Sequence, residues 1–170
     1  MPKFAVISPT HIPRKKLEAW GNFRDGGYIA FGSTISEDLS NKTMEKIREI
    51  VKSNPRNSGR KLSQRFREYE TFLFLLEEGD YVAINNTNAG LFGIGRITSN
   101  YYFKKHAHDT GSTDPNEFYC HFRKVEWLVT SYMKRKDILK PKEKGWKPYG
   151  IISVLPEVPA YIKRILEKIK

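Results

Sequence analysis

Residues 79–127 constrain the fold of this chain more strongly than any other segment. Apolar and polar residues alternate in GDYVAINN, in GLFGIGRITSNYYF and in HFRKVEWL, and this period of two is typical of half-buried strands. Glycines interrupt the second run, as they do where another group approaches the backbone closely. Aromatic and basic residues are interleaved along the segment, which is typical of nucleic-acid binding. The segment therefore predicts a sheet with a binding face and no catalytic centre.

Shorter apolar runs before this segment predict two more strands and two helices. Residues 3–8 suit an edge or first strand because prolines follow them, and residues 28–32 suit a second strand between glycines. Asn41 is placed to cap one helix, and Ser58 to cap a second helix that Gly79 ends. Their apolar stripes are expected in the core and comprise Met44, Ile47, Ile50 and Val51, and Leu62, Phe66, Tyr69, Leu73 and Leu76.

Two polar loops and a last helix complete the predicted organisation. Residues 104–116 contain Gly and Pro, and residues 131–148 are rich in lysine, so both segments are predicted to be loops. Trp146 has little apolar company there and is expected to be exposed or to fold back as a lid. Residues 156–170 form an amphipathic helix that either packs on this domain or leads toward a missing partner domain. Residues 1–155 thus predict one α+β domain with a strongly bent sheet or small barrel.

The charge balance favours a polyanionic partner. Thirty Lys and Arg residues stand against nineteen Asp and Glu residues, which leaves a formal net charge of +11. Each phosphate that a cation neutralises releases condensed counterions, so this attraction to nucleic acid does not depend on the base sequence. A lysine-rich thermostable surface is the alternative, but such surfaces carry glutamate in balance. Cys120 is the only cysteine and no long apolar run is present, so we expect a cytoplasmic protein without membrane contact.

The sequence carries no convincing catalytic or metal-binding motif. Residues 59–63 resemble the end of a phosphate-binding loop, but the upstream glycine and the preceding strand are missing. His106, His108 and Asp109 lie together with His121 on the next strand, yet a solvated loop is favoured over a zinc site because no second ligand cluster accompanies them. We therefore expect no enzyme activity, no metal and no cofactor.

Basic and aromatic residues supply the candidate binding groups. Arg123 and Trp127 share one face of a strand, so that one is placed to meet a phosphate and the other to stack on a base. Arg60 and Lys61 occupy the first turn of a helix, where the helix dipole disfavours cations. A phosphate bound at this helix end would offset the unfavourable interaction. The alternative is a helix end that is simply solvated. The predicted phosphate-binding residues are Arg60, Lys61, Lys104, Lys105, Arg123, Lys134 and Arg135.

The order of several short motifs resembles the EVE-like branch of the PUA superfamily, which is related to YTH domains. The match covers about residues 3–155, and the N-terminal recognition domains of McrB-type, modification-dependent restriction systems are particularly similar. The motifs that carry the resemblance are Asp38-Leu39-Ser40, Gly79-Asp80, Gly93-Ile94-Gly95, Tyr101-Tyr102-Phe103 and His121-x-Arg123-x-Val125-x-Trp127.

This resemblance implies a PUA-like bent β-barrel with flanking helices, and a pocket for a base flipped out of a duplex, commonly a methylated base. Extruding a base costs a few kcal/mol, which stacking and hydrogen bonding offset. Many relatives carry a tryptophan where this chain has Gly32-Ser33, so Phe31, Tyr28 or Trp20 must replace it, or the ligand differs. The pocket residues implied by position are Ser8, Trp20, Tyr28, Phe31, Ser33, Asn85, Asn86 and Trp127.

The resulting functional hypothesis is a non-catalytic DNA-recognition domain of a modification-dependent restriction system. It would bind phosphates through its cations and place one flipped, methylated base in an aromatic pocket. Any GTPase or nuclease activity would reside elsewhere in the assembly that the full-length protein joins. The alternative is an RNA-binding module of the PUA and YTH type that reads single strands or a structured RNA.

Overall fold

The computed structural model describes residues 1–10, 12–33, 35–54, 60–109, 118–147 and 150–169. Eight strands are present among them: β1 (Phe4–Ile7), β2 (Tyr28–Ser33), β3 (Tyr81–Asn86), β4 (Gly90–Ile97), β5 (Tyr102–Asp109), β6 (Phe118–Val129), β7 (Met133–Lys134) and β8 (Ile152–Leu155). The helices are α1 (Lys16–Gly26), α2 (Met44–Ser53), α3 (Arg60–Glu70), the single turn α4 (Arg135–Ile138) and α5 (Ala160–Lys168). A 3-10 turn precedes α1 at Pro13–Lys15, and a π-helical turn follows α3 at Thr71–Leu75.

The strands form one mixed sheet in the order β2-β6-β4-β3-β1-β8, with β5 added beside β6 and β7 beside β4. The β1 and β3 strands run parallel, and the other paired strands run antiparallel. The twelve-residue strand β6 pairs through its first half with both β2 and β5, and through its last residues with β4. Register shifts within β2, β3 and β4 add local bends, as β-bulges do. The sheet therefore curls into a half-barrel, which confirms the predicted α+β class with a strongly bent sheet.

Two apolar layers lie on the two faces of this sheet. The larger core includes Phe23, Phe31 and Phe72, and it packs α1, α2 and α3 inside the curl. The smaller core gathers Phe4, Ile94, Trp146 and Tyr161 beneath α4 and α5. The last helix α5 thus packs on this domain, through Tyr161 and Ile162. Within the described residues, no helix combines the length and apolar character that crossing a bilayer requires.

The α1 helix has signals in the sequence for its start, its end and its buried face. Proline occupies the first turn that leads into it, and Gly27 ends it in the left-handed conformation at φ 65°. Its buried face is made by Lys16, Ala19, Trp20 and Phe23, which recur at helical spacing. This helix was not among the predicted elements because Gly21 and Gly26 are poor helix formers.

Several predicted boundaries are corrected by long-range pairing. The β1 strand is the first strand of the chain, as one of the two alternatives predicted, but it is not an edge strand, since β3 and β8 pair with its two sides and the prolines follow only after its last residue. Thr43 caps α2 by accepting a hydrogen bond from the Lys46 amide at 3.3 Å, so Asn41 does not. The predicted cap Ser58 lies outside the described residues.

Both segments predicted to be loops contain regular structure. Residues 102–109 form β5, because pairing with β6 supplies partners for a backbone whose polar side chains suggested a loop. Residues 133–138 form β7 and α4. Trp146 is only 3% exposed, which contradicts the first of its two predicted alternatives, exposure, because it packs against Tyr161 across a ring-centroid distance of 5.9 Å.

Gly93 provides a test of the core packing around Trp20. A Cβ at this position would lie 2.8 Å from Trp20 Cζ2 and 2.8 Å from the Val129 carbonyl oxygen. We expect Gly93→Ala to lower the free energy of unfolding by about 1–3 kcal/mol, as overpacking does. Urea unfolding of the two proteins measures the difference.

Gly21 is the matched control for this substitution. No atom outside the local helix lies within 4 Å of a Cβ built there. Gly21→Ala should leave stability unchanged or raise it by up to about 1 kcal/mol, because alanine is the better helix former. Equal effects of the two substitutions would contradict the described packing of Trp20 over β4.

Candidate functional site

A cleft opens at the end of the sheet where β1 ends and β8 begins. Its volume of about 310 Å³ lies at the lower end of the range of about 300–1,000 Å³ that ligand sites occupy. The residue after β1, one face of α3 and the residues before β8 build it. Its described lining consists of Ser8, Lys61, Gln64, Arg65, Glu68, Gly150 and Ile151.

The carboxylate of Glu68 organises the cleft. Glu68 is 3% exposed, and its Oε1 accepts hydrogen bonds from Gln64 Nε2 at 3.0 Å and from the Ile151 amide at 3.0 Å. Its Oε2 accepts from Arg65 Nη1 at 3.2 Å. A carboxylate oxygen has two acceptor positions, so Oε2 retains capacity for a further donor. Glu68 therefore connects α3 to the start of β8 while still offering an acceptor.

Backbone geometry holds the opposite wall of the cleft. The Ser8 amide donates to the Ile151 carbonyl oxygen at 2.7 Å, and the Ser8 hydroxyl donates to the Thr10 carbonyl oxygen at 3.0 Å. Gly150 adopts a left-handed conformation at φ 68°, and a Cβ there would lie 2.5 Å from Glu68 Oε1. Glycine is required at this position both by its conformation and by the close carboxylate.

Four residues of α3 face the cleft because they recur at helical spacing. Lys61, Gln64, Arg65 and Glu68 are separated by three, one and three residues and so lie on one face of the helix. Lys61 is exposed near the start of α3, whose first turn carries no acidic residue. The cleft thus has a cationic entrance and a buried carboxylate within it.

The aromatic residues predicted to form a pocket are divided among three packing clusters of the core. Trp20 packs edge-on to Trp127 at a centroid distance of 4.8 Å and parallel to Phe92 at 6.4 Å. Trp127 is partly exposed and donates from its Nε1 to the Phe23 carbonyl oxygen at 2.9 Å. This first cluster fills the space beneath α1.

The other two predicted rings are equally enclosed. Tyr28 lies 5.1 Å from Phe122 and 5.5 Å from Phe23. Phe31 lies 4.8 Å from Tyr69 and 5.5 Å from Phe72, and it is 1% exposed. None of these rings appears in the described lining of the cleft.

The predicted polar pocket residues have separate positions. Ser8 lines the cleft. Ser33 is buried and shares a hydrogen bond with the Tyr69 hydroxyl, and its own hydroxyl accepts from the Ile35 amide at 2.8 Å. Asn85 is 1% exposed, and its Oδ1 has no hydrogen-bond partner among the described residues. Asn86 is half-buried at the end of β3.

The predicted phosphate-binding residues separate into exposed and buried groups. Lys61, Lys104, Lys105 and Lys134 are exposed. The Arg135 guanidinium lies 4.5 Å above the Trp146 ring, and its Nη1 donates to the Trp146 carbonyl oxygen at 3.1 Å. The side chain of Arg60 lies outside the described part of the chain, as do those of His106, His108 and Asp109.

Arg123 is corrected from a phosphate ligand to a structural residue. It is 2% exposed, and its guanidinium donates to the carbonyl oxygens of Phe72 at 2.8 Å, Leu73 at 3.1 Å and Ser99 at 3.3 Å. Burial lowers the pKa of Arg123 to about 10. Its face of β6 points into the curl, so the guanidinium satisfies carbonyl groups of the π-helical turn instead of meeting solvent.

Comparison with known proteins identifies the family of the chain. The model of the family described as Domain of unknown function (DUF8426) matches residues 8–145. The chain belongs to this family. The matched region of the DUF8426 domain includes Ser8 and the α3 face of the cleft.

Among solved structures, the chain is similar to the YTH domain of the Zygosaccharomyces rouxii MRB1 protein in complex with N6-methyladenosine RNA. The two share 17% sequence identity with a TM-score of 0.42, and the alignment covers 99% of this chain and 86% of that chain. A comparison with curated proteins gave no match.

Sequence reasoning missed most of the cleft of this DUF8426 domain. Gln64, Arg65 and Glu68 look like the solvated face of an amphipathic helix, because charged residues on helices are usually exposed. Gly150 and Ile151 follow a lysine-rich segment and carry no motif. Only Ser8 and Lys61 were predicted as site residues, and they were assigned to two different functions, yet they line the same cleft.

Replacing Arg123 distinguishes its structural role from phosphate binding. Arg123→Met leaves three carbonyl groups without their charged donor, and we expect the free energy of unfolding to fall by about 2–4 kcal/mol. Chemical denaturation measures this loss. Lys124→Met is the control, because Lys124 is the exposed neighbour on β6 and should change stability by less than about 0.5 kcal/mol. Unchanged stability of Arg123→Met would contradict the buried role.

His121 predicts a pH dependence of stability. It is fully buried, its Nε2 donates to the Ile35 carbonyl oxygen at 2.9 Å, and its Nδ1 accepts from the Tyr101 hydroxyl at 2.9 Å. Burial lowers the pKa of His121 from 6.5 to about 4. Between these two pH values the unfolded chain binds a proton that the folded chain excludes, so stability falls as pH decreases from 6.5 to 4.

The size of this effect follows from the shift in pKa. Each pKa unit corresponds to about 1.4 kcal/mol, so His121 should contribute about 3 kcal/mol to the loss. Urea unfolding of the wild type and of His121→Gln at several pH values between 4 and 7 isolates this contribution from the carboxylates. The variant should show a smaller loss, and identical pH profiles would exclude His121 as the source.

Proposed function

We propose that this chain is a non-catalytic nucleic-acid-binding domain that receives one unpaired nucleotide in the cleft between α3 and the β1 and β8 strands, with single-stranded RNA as its favoured partner. The observation that carries this proposal is the presence of Ser8, Glu68 and Lys61 in one cleft. A nucleotide requires polar groups for the base edge and a cation for the phosphate, and these residues supply both.

The base edge would meet the buried wall of the cleft. Glu68 Oε2 has acceptor capacity beyond its bond to Arg65, and nucleobase amino and imino groups are donors of the matching kind. Ser8 adds a hydroxyl that donates to the Thr10 carbonyl oxygen and whose oxygen can accept a hydrogen bond from the base. Because Glu68 is already bonded to Gln64 and Ile151, the acceptor is held in position before a ligand arrives.

The phosphate would meet the rim of the cleft. Lys61 is exposed there, at the start of a helix with no acidic residue in its first turn. The helix dipole favours an anion at this end. The net charge of +11 adds a long-range attraction for polyanions.

A strand that is already unpaired suits this cleft better than a duplex does. Extruding a base from a duplex costs a few kcal/mol, which aromatic stacking usually offsets. The described lining of the cleft contains no aromatic ring, so little is available to offset that cost. Recognition of RNA mostly targets unpaired loops and ends, where no extrusion is needed.

Binding to base-bearing and abasic strands tests the proposal. Each hydrogen bond to the base contributes about 0.5–1.5 kcal/mol, so two of them predict about tenfold tighter binding of an RNA oligonucleotide than of an abasic oligonucleotide of equal length. Fluorescence anisotropy measures both affinities. The panel includes RNA with N6-methyladenosine, because the similar yeast YTH domain was solved with such RNA. Equal affinity for base-bearing and abasic strands would overturn the proposal.

Two substitutions on α3 locate the binding site. Gln64→Phe fills the cleft from an exposed position, and it should remove the preference for base-bearing strands while binding to abasic strands persists. Ser63→Phe is the matched control, since Ser63 is exposed on the same helix but is not part of the described lining. Loss of the preference in both variants, or in neither, would exclude this cleft.

The DNA hypothesis is the competing outcome of the same panel. A methylated duplex bound more tightly than every single strand would favour recognition of modified DNA, and with it the restriction assembly that the McrB-type resemblance implies. In that case a GTPase or nuclease partner becomes the next subject of study.

A further inference from the structure

A second surface, on the face of the sheet opposite to α3, has the properties of a phosphate-binding groove. Two hollows of about 580 Å³ and 660 Å³ lie beside α4, and they share Tyr132, Lys134, Leu139 and Lys140 in their linings. The two hollows adjoin at these four residues, and we call them together the basic groove. The β7 strand, α4 and α5 form its walls.

The charge of this groove is strongly unbalanced. Its linings contain the acidic residues Asp137 and Glu143, and the basic residues Lys134, Arg135, Lys136, Lys140, Arg164 and Lys168. Glu143 attracts the ammonium group of Lys140 only weakly compared with its bond to Arg164, which donates to its two oxygens at 3.0 Å and 2.6 Å. This bond lowers the pKa of Glu143 to about 2, so the pair remains charged and internally neutral.

The lysines of the groove are available for a ligand. Lys134, Lys136, Lys140 and Lys168 are exposed, and within the described ranges none of them forms an ion pair. Elsewhere on the surface, some exposed cations such as Arg24 and Lys46 have acidic partners, Asp25 and Glu49, and others such as Lys104 and Lys124 form no ion pair within the described ranges. Four unpaired ammonium groups around the two adjoining hollows repel each other, and a polyanion would relieve that repulsion.

The residues beneath the groove are buried and hydrogen-bonded, while its lysines are exposed. Trp146 is buried beneath Arg135, and its Nε1 donates to the Thr87 carbonyl oxygen at 3.3 Å. Arg164 also donates to the Ile138 carbonyl oxygen at 3.3 Å, which fastens α5 to α4. The relative positions of the two helices are thus fixed before any ligand binds.

An exposed aromatic ring lies at the edge of the groove. Tyr132 is 44% exposed, and its ring leans on Phe92 at a centroid distance of 5.6 Å. A ring held from below presents a face on which an unpaired base can stack. Several exposed lysines around two adjoining hollows bordered by a flat ring match a single strand better than a small isolated anion.

We propose that the basic groove binds the phosphodiester backbone of a single-stranded nucleic acid, with Lys134 and Lys140 as its central phosphate contacts. This inference rests on the proposed function for the identity of the polyanion. Lys134 and Lys140 line both hollows, so a strand that follows the groove passes both side chains. Lys136 and Lys168 extend the contact toward its two sides.

The salt dependence of binding to an abasic oligonucleotide tests the groove separately from the cleft. For single strands the slope of log K against log salt is about −0.7 per neutralised phosphate. The double variant Lys134→Gln with Lys140→Gln should therefore reduce the slope by about 1.4. Anisotropy titrations between 50 and 200 mM salt, roughly the range over which this effect is large, provide the measurement.

The matched control is the double variant Arg24→Gln with Lys46→Gln. It removes the same amount of charge from exposed positions whose cations are already paired with carboxylates. Its slope should equal that of the wild type. An unchanged slope in the groove variant, an equal reduction in both variants, or no binding of the abasic strand by the wild type would each overturn the groove proposal.

The two proposals fail in different ways. If base-bearing and abasic strands bind equally, but the groove variant has a smaller slope of log K against log salt than the wild type, the groove proposal is supported and the cleft proposal is not. If the base preference is present but the slope is unchanged, the cleft is supported and the groove is not. Binding of the wild type to phosphatidylserine vesicles that the groove variant loses, with unchanged oligonucleotide binding, would assign the groove to a membrane surface instead.

Discussion

The backbone pairing of β6 is the constraint on which the rest of the structure depends. This strand joins β2 and β5 along its first half and β4 along its last residues, so it turns an otherwise open sheet into a half-barrel. The side chains of β6 that face into the curl then bind backbone carbonyl groups of the residues that lie there. His121 donates to Ile35, and Arg123 donates to the carbonyl groups of Phe72 and Leu73. Without these bonds the π-helical turn after α3 would bury unsatisfied carbonyl groups.

The cleft is a consequence of how α3 is fastened to this sheet. Arg123 holds the π-helical turn that continues α3, and Glu68 holds α3 to Ile151 at the start of β8. Both are charged side chains that are almost fully buried and bonded. Burying a charge is costly unless hydrogen bonds satisfy it, so their positions are tightly defined. A carboxylate fixed in this way offers an acceptor of fixed direction, which is what reading a base edge requires.

The cationic surface of the molecule has an analogous organisation. The basic groove combines bonded arginines, of which Arg135 covers Trp146 and Arg164 binds Glu143, with exposed lysines that form no ion pair within the described ranges. The arginines of the groove thus stabilise the fold, and its lysines are available to bind a ligand. This division agrees with the chemistry of the two side chains, because a guanidinium makes several directed bonds and an ammonium acts as a flexible point charge.

The sequence by itself determined the α+β class, the bent sheet, most of its strands and the helices α2, α3 and α5. Periodicity is a local property, and a strand or helix with one buried face shows it directly. The excess of positive charge is likewise visible from composition alone. Tertiary structure decided that β1 is interior, that residues 102–109 form a strand, and that Trp146 is buried, since each of these depends on partners distant in the chain.

Tertiary structure also decided the candidate site. The resemblance placed Trp20, Tyr28 and Phe31 around a base, but long-range packing puts these rings in the core. The same packing turns Arg123 inward and brings Glu68 against a backbone amide 83 residues away. A sequence records which side chains are charged or aromatic; which of them remain available to a ligand depends on which of them the folded core has already engaged.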